Sequence, residues 1–298
     1  METMCKKYEL TNDVILLKDD VGNERHLYRI KALIDIPAHN VTAGDLGGYI
    51  ESESNLSHIG FSWIKDNARV FGNAMVFDNA IVRDDAIVGD SAEIYDEADI
   101  NANAIICGHA EIFGRAYVGH HAVVGGYVRV YEFAGIDGCA KISEHANVHG
   151  NADIRGNSTV IGYVDICDGL ITDESTICGS GTIKGTAMIS SNAVVSGHYT
   201  LADNADIMGE NDIVEFNNII PTKTVTMYKA STCSKILGFK YKEILVSYDN
   251  MVWSTKGFKK VIKQKYGNSV HTKLANTAVR MTRRKFNIGI QLFHRHYY

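Results

Sequence analysis

Aliphatic residues recur every six positions from Ile64 through Val70, Val76, Val82, Val88, Ile94, Ile100, Ile106, Ile112, Val118, Val124, Val130, Ile136, Ile142, Val148, Ile154, Val160 and Ile166. Two residues before each aliphatic stands a small one, nearly always alanine, with Val128 and Val164 as the bulkier departures. After Ile166 the phase slips by one residue and resumes at Ile171, Ile177, Ile183, Ile189, Val195, Leu201, Ile207 and Ile213, giving 26 hits in all. A period of six cannot lie on one helical face, because apolar positions spaced about 3.6 apart drift out of step with it within two repeats. Within each six-residue unit the small residue and the aliphatic share one side of a short strand, and the residues between and after them point outward. The next two positions are turn formers, as in Gly72-Asn73, Asp78-Asn79, Asp90-Ser91 and Gly150-Asn151, residue types that tolerate the left-handed backbone of a tight corner. Each unit predicts one strand and one corner.

This pattern resembles the hexapeptide repeat of left-handed parallel β-helices, in which three units close a triangular coil around stacked aliphatics. The resemblance implies an all-β, left-handed rod of about 8 to 9 coils over residues 61–216, about 40 Å long at the ~4.8 Å separation of neighbouring strands. Outward positions eighteen apart then form columns. One face carries Phe77, Tyr95, Phe113, Tyr131, His149 and Cys167, and a second carries Ile87, Ile105 and Val123 with Ile161 nearby. The third is polar, with Lys65, Arg83, Asn101, Asp137 and Arg155 beside Asp99 and Asp153. Two adjacent apolar faces exceed what a monomer ordinarily exposes, so Phe77, Tyr95, Phe113, Tyr131, Ile87, Ile105 and Val123 are read as a homo-oligomer interface. Stacking along the sheet is the competing explanation for the aromatics. A trimer is favoured by resemblance to the usual assembly of the fold.

Upstream, Lys7–Leu10, Val14–Leu17 and Leu27–Ile34 read as strands broken at a turn over Asp19–Asn23, a small β cap over the first coil within residues 1–60. The run Ala43-Gly44-Asp45-Leu46-Gly47-Gly48-Tyr49-Ile50-Glu51-Ser52-Glu53-Ser54-Asn55-Leu56-Ser57, with Tyr28–Leu33 before it, looks like the entry segment of YdcK-like β-helix proteins, bacterial or encoded by phages and prophages. The resemblance covers about residues 7–215. That family's acyltransferase label rests mainly on its fold, and a fold alone does not supply a function.

Residues 217–298 read as a small α+β module. Val225–Lys229, Ile236–Lys240 and Ile244–Tyr248 look like strands. Phe258, Val261, Ile262 and Tyr266 share one helix face, and Leu274, Ala278 and Met281 suggest a second helix. Charge divides sharply at this boundary. Residues 221–298 hold sixteen Lys or Arg against Glu243 and Asp249, a net of +14, and the whole chain of 298 residues carries −5. Lys256, Lys259, Lys260, Lys263, Arg280, Arg283, Arg284 and Lys285 form the electrostatic footprint for an acidic partner. Nucleic acid, the acidic rod of this or a neighbouring copy, and solvent alone are the alternatives.

Six scattered cysteines without a CxxC pair, no apolar leader at Met1–Lys7 and no long apolar run favour reduced thiols, a cytoplasmic location and no membrane role. No phosphate loop, nucleophile elbow or HExxH motif is present. Asp84-Asp85 and Asp96-Glu97 fall at corners where carboxylates accept turn hydrogen bonds. His109 and His145 share a corner two coils apart, too far for one metal ion, and no metal site is expected. In Val118-Gly119-His120-His121-Ala122, His120 resembles the general base of sugar acyltransferases of this fold, which use a coenzyme A thioester. His121 stands where an adjacent acid is expected, and the long loop that often shapes the coenzyme pocket is missing. The reading that unites these features is a non-catalytic oligomeric scaffold or binding protein without a cofactor, with a His120 acyltransferase and a nucleic-acid-binding protein as alternatives.

Overall fold

The structure is a computed structural model that describes residues 6–18, 24–202, 205–208, 213–220, 223–233, 240–248 and 251–285. Its body is a left-handed parallel β-helix. The predicted aliphatics from Ile64 to Ile207 point inward and are fully or almost fully buried, together with the alanines two residues before them. Strands pair in register with their counterparts on the adjacent coil: Ile100 faces Val82 on one side and Val118 on the other. The hydrogen bonds run along the rod, as in Ile87 N to Ala104 O at 2.9 Å, Gly89 N to Ile106 O at 2.9 Å and Ser91 N to Gly108 O at 2.8 Å.

Each corner from Ile64 to Val195 places the second residue after the aliphatic at positive φ, near 55–61° at Asp66, Asp78, Asp84, Asp90 and Asp96. Aspartate tolerates this region better than most residues, and here its carboxylate does a second job. Asp84, Asp90 and Asp96 accept the backbone N–H of Ala102, Gly108 and Gly114 on the next coil at 3.0, 2.8 and 3.1 Å. These corner acids are structural caps, as expected for Asp84 and Asp96. After Ile166 one corner is a residue short, with Gly169 inside it, and pairing continues without a break as Asp153 faces Leu170. Just before it, strand Thr159–Cys167 runs straight across a corner and joins the first two faces into one sheet.

The rod begins earlier and ends sooner than residues 61–216. Strands β1 (Tyr8–Lys18) and β2 (Glu24–Ala32) form an antiparallel hairpin, and β2 pairs with β3 (Leu46–Ile50). Beyond Ile50 the pairing turns parallel: Ile50 faces Val70 and Leu56 bridges Val76. With Ile64 they complete a first coil, so nine coils stack between Ile50 and Ile207. The gap from Leu56 to Ile64 is eight residues, so the six-residue period that starts at Ile64 does not reach back to them. At the other end Ile213 keeps the spacing but lies in strand Ile213–Ile220, paired antiparallel with Lys223–Cys233. The predicted turn at Asp19–Asn23 lies outside the described residues.

The entry segment earns its composition by contact. A Cβ on Gly48 would stand 2.5 Å from Ala68 O and 2.6 Å from Ile64 Cγ2, so only glycine lets β3 seat on the coil above. Glu51 accepts Gly72 N at 2.7 Å, and Asn55, buried, donates to Gly72 O and Ala74 O at 3.0 and 2.8 Å. Lys7 closes the open end: its Nζ, 1% exposed as a residue, donates to Ser62 O at 2.7 Å and Ser62 Oγ at 3.0 Å.

The C-terminal module has a four-stranded antiparallel sheet, Ile213–Ile220, Lys223–Cys233, Lys240–Tyr248 and Met251–Ser254, then α1 (Thr255–Tyr266) and α2 (Val270–Lys285). Of the predicted Ile236–Lys240, residues 236–239 lie outside the described residues. Phe258 and Ile262 are buried with Val246 and Tyr248, and Val261 and Tyr266 pack against them, as the helical spacing predicts. On α2 the prediction is half right. Ala278 is buried, while Leu274 and Met281 are exposed and Ala275 and Val279 take the inner positions, since small residues let α2 approach closely.

No described carboxylate pairs with the Lys7 ammonium, and burial lowers it to about 8 from the usual 10.5. A lysine harder to protonate in the folded than in the unfolded chain costs stability as pH falls from 10.5 toward 8. Lys7→Met keeps an unbranched apolar stem there and removes this term. The melting temperature of the unmodified protein should therefore rise relative to Lys7→Met between about pH 8 and pH 10. Parallel curves would show that Lys7 is not held in this desolvated state.

Candidate functional site

The structure brings the predicted aromatic column together as one stack. Phe77, Tyr95, Phe113, Tyr131 and His149 follow one another with ring centroids 4.9 Å apart and planes within 7° of parallel. The rings bury one another's faces and leave their edges outward. Arg129 lies over Phe113 and Tyr131 at 5.2 and 5.6 Å while its Nε donates to Glu111 at 3.1 Å. His149 closes the column with Nε2 3.2 Å from Asp165 Oδ1. Beyond it, burial and then Asp168 push the Cys167 thiol up to about 11, so it is no thiolate nucleophile at neutral pH. Cys107, Cys139, Cys167 and Cys178 are unbridged.

On the neighbouring face Ile87, Ile105 and Val123 face one another in register. Gly89 and Gly125 flank this strip on the same face. The corner between the two faces holds a stack that the sequence reading missed. His109, Tyr127, His145 and Tyr163 lie 4.8, 5.2 and 4.5 Å apart, with Tyr127 56% and Tyr163 64% exposed. Their spacing of eighteen was the signal. His109 and His145 are thus separated by a tyrosine ring, and among the described residues no three ligand-type side chains converge on a metal position.

His120 occupies a corner on the third face, at φ 50° in the position that aspartate fills elsewhere. Gly138 N on the next coil, which a corner aspartate would cap, instead finds Asp137 Oδ1 of its own coil at 2.8 Å. That same oxygen contacts His120 Nδ1. The acid missing beside His120 in the sequence is therefore supplied from seventeen residues away, and no local motif could have shown it. With Asp137 on Nδ1, Nε2 has no partner among the described residues and the ring is largely exposed, its side chain 64% accessible. Tyr117 leans across Gly119 to donate to Asn101 Oδ1 at 3.3 Å, and Asn101 Nδ2 meets Asp99, which Arg83 grips with two bonds of 3.1 and 3.0 Å. A polar surface results, on which the imidazole stands exposed. A groove lies on a different corner, lined by Asp78, Asp96, Glu97 and Arg115. Two of its three acids are spoken for: Asp96 caps Gly114 and Glu97 holds Arg115 at 2.6 Å.

In the C-terminal module Lys256, Lys260, Lys263, Arg280 and Arg283 are exposed, and Lys259 is half-buried. Arg284 and Lys285 end α2. No described helix is long and apolar enough to cross a membrane. No protein-family model and no curated protein matches the chain.

The third-face geometry makes a direct test. A Cβ on Gly119 would lie 2.2 Å from Tyr117 Oη, whereas a Cβ on Gly135, one coil on, meets nothing within 4 Å. Gly119→Ala should displace the phenol and break its bond to Asn101, costing about 1–2 kcal/mol, and Gly135→Ala should stay within ~0.5 kcal/mol of the parent. Equal denaturation midpoints for the two variants would contradict this packing.

Proposed function

We propose that the chain is a non-catalytic oligomeric scaffold whose rods associate side by side through the first and second faces. The observation that carries this reading is one apolar edge: the Ile87–Ile105–Val123 strip, the His109–Tyr163 corner stack and the Phe77–His149 stack run parallel over adjoining coils. Because the rings already use their faces on one another, they offer edges and a flat contour, which suits another protein surface better than a small ligand. A second copy has the same contour and the same pitch, so columns on two rods can run in step. The hexapeptide-repeat resemblance favours a trimer of phage or prophage origin, and the unpaired cysteines favour the cytoplasm.

In sedimentation experiments the unmodified protein should run as a trimer, and Tyr95→Lys with Phe113→Lys should run as a monomer that retains its β signature. A stable monomer of the unmodified protein at micromolar concentration would refute this assembly.

The His120–Asp137 contact supports a second reading, acyl transfer from a coenzyme A thioester. Asp137 holding Nδ1 would leave Nε2 free to take a proton from an acceptor hydroxyl or amine. The corner's need to satisfy Gly138 N accounts for the same contact without chemistry. Acetyl-coenzyme A incubated with amino sugars or amines should give no turnover above background. Transfer that disappears in His120→Ala would make the enzyme reading the correct one.

A further inference from the structure

After Asp249 the sequence contains no Asp or Glu, yet it continues through Lys256–Lys285 with ten Lys or Arg. The structure organises these charges. On α1, Lys256, Lys260 and Lys263 recur at i, i+4 and i+7, opposite buried Phe258 and Ile262, and extend about 10 Å along the axis. On α2, Lys273, Asn276, Arg280 and Arg283 recur at i, i+3, i+7 and i+10, opposite buried Ala275, Ala278 and Val279, an outward stripe about 15 Å long.

The two stripes meet. Arg283 Nη2 donates to Thr255 Oγ1 at 2.9 Å, which holds its guanidinium against the first turn of α1. Lys259 stands close enough that the Arg283 charge, after desolvation, lowers its pKa. Two like charges are thus held together, and none of the exposed cations on the stripes has a carboxylate partner among the described residues.

We propose that α1 and α2 form a binding surface for duplex DNA, with α2 lying in the major groove and the lysines of α1 on the flanking phosphates. A B-form major groove, about 12 Å wide, admits a helix, whereas the deep, narrow groove of an A-form RNA duplex does not. Arg and Asn are the side chains that pair with guanine and adenine edges there, and Asn276 and Arg280 sit one turn apart on the outward stripe. A short connection, Gly267–Ser269, joins the helices, as in helix pairs that dock on DNA. The inference stands apart from the assembly of the rod.

The test uses the full chain and a fluorescent mixed-sequence duplex of about 30 base pairs, with anisotropy followed from about 50 to 200 mM salt. Binding should weaken linearly on a log–log plot. Lys256→Gln, Lys260→Gln and Lys263→Gln together should lower the slope by about 3, and Lys260→Gln alone by about 1. Single-stranded DNA, an RNA duplex and polyglutamate should compete poorly. Absence of binding at low salt, a slope unchanged in both variants whose melting matches the parent, or competition by RNA or polyglutamate equal to that of the DNA duplex would overturn the proposal. Tyr95→Lys with Phe113→Lys should still bind the duplex, so failure of assembly and failure of DNA binding are read separately.

Discussion

The rod stands on hydrogen bonds that connect each coil to the next, because most of its strands are only two residues long and none could persist alone. A coil is stable only against another coil, and the chain must come back to the same place after three units. That closure fixes the rest. It demands an inward aliphatic at one phase, a small residue two positions before it, and a left-handed backbone at the corners from Asp66 to Gly197. It also aligns every outward side chain with its counterparts above and below. The aromatic stacks, the Asp corner caps and the Arg129–Glu111 pair are all products of this one alignment.

Closure also leaves two ends with unpaired backbone, and the molecule treats them differently. At the first coil, β1 to β3 and the Lys7 ammonium satisfy the exposed edge, with Tyr8 and Trp63 filling the space beneath. The last coil gives way to an antiparallel sheet and helices with a separate core. Acidic corner residues gather on the rod because carboxylates cap corners, whereas the described strands and helices of the module carry no such stacked corners.

The interior was legible in the sequence because one constraint repeats at every coil. Ile64 to Ile207 could be placed by counting, and so could the columns of Phe77 and Ile87. Counting failed where geometry changes without changing the count. Ile213 keeps the spacing but pairs antiparallel, and Ile50 and Leu56 break the spacing but occupy the core. Leu274 and Met281 had helical spacing and the wrong face, since α2 buries its small residues. The His120–Asp137 contact was illegible for another reason: its origin is a backbone N–H at Gly138 that no longer has a corner aspartate beneath it.

The direction of those inter-coil bonds has a mechanical consequence. Tension applied along the rod axis loads the coils in series, so only the few bonds at the outermost coil resist at any moment, and rupture proceeds as unzipping. Each regular coil of eighteen residues would release about 60 Å of extended chain, a sawtooth of nearly equal steps, with one slightly shorter step where the corner after Ile166 lacks a residue and one slightly longer at the first coil. Tension applied across the rod instead shears whole ladders at once. The molecule is therefore soft along its length and stiff across it.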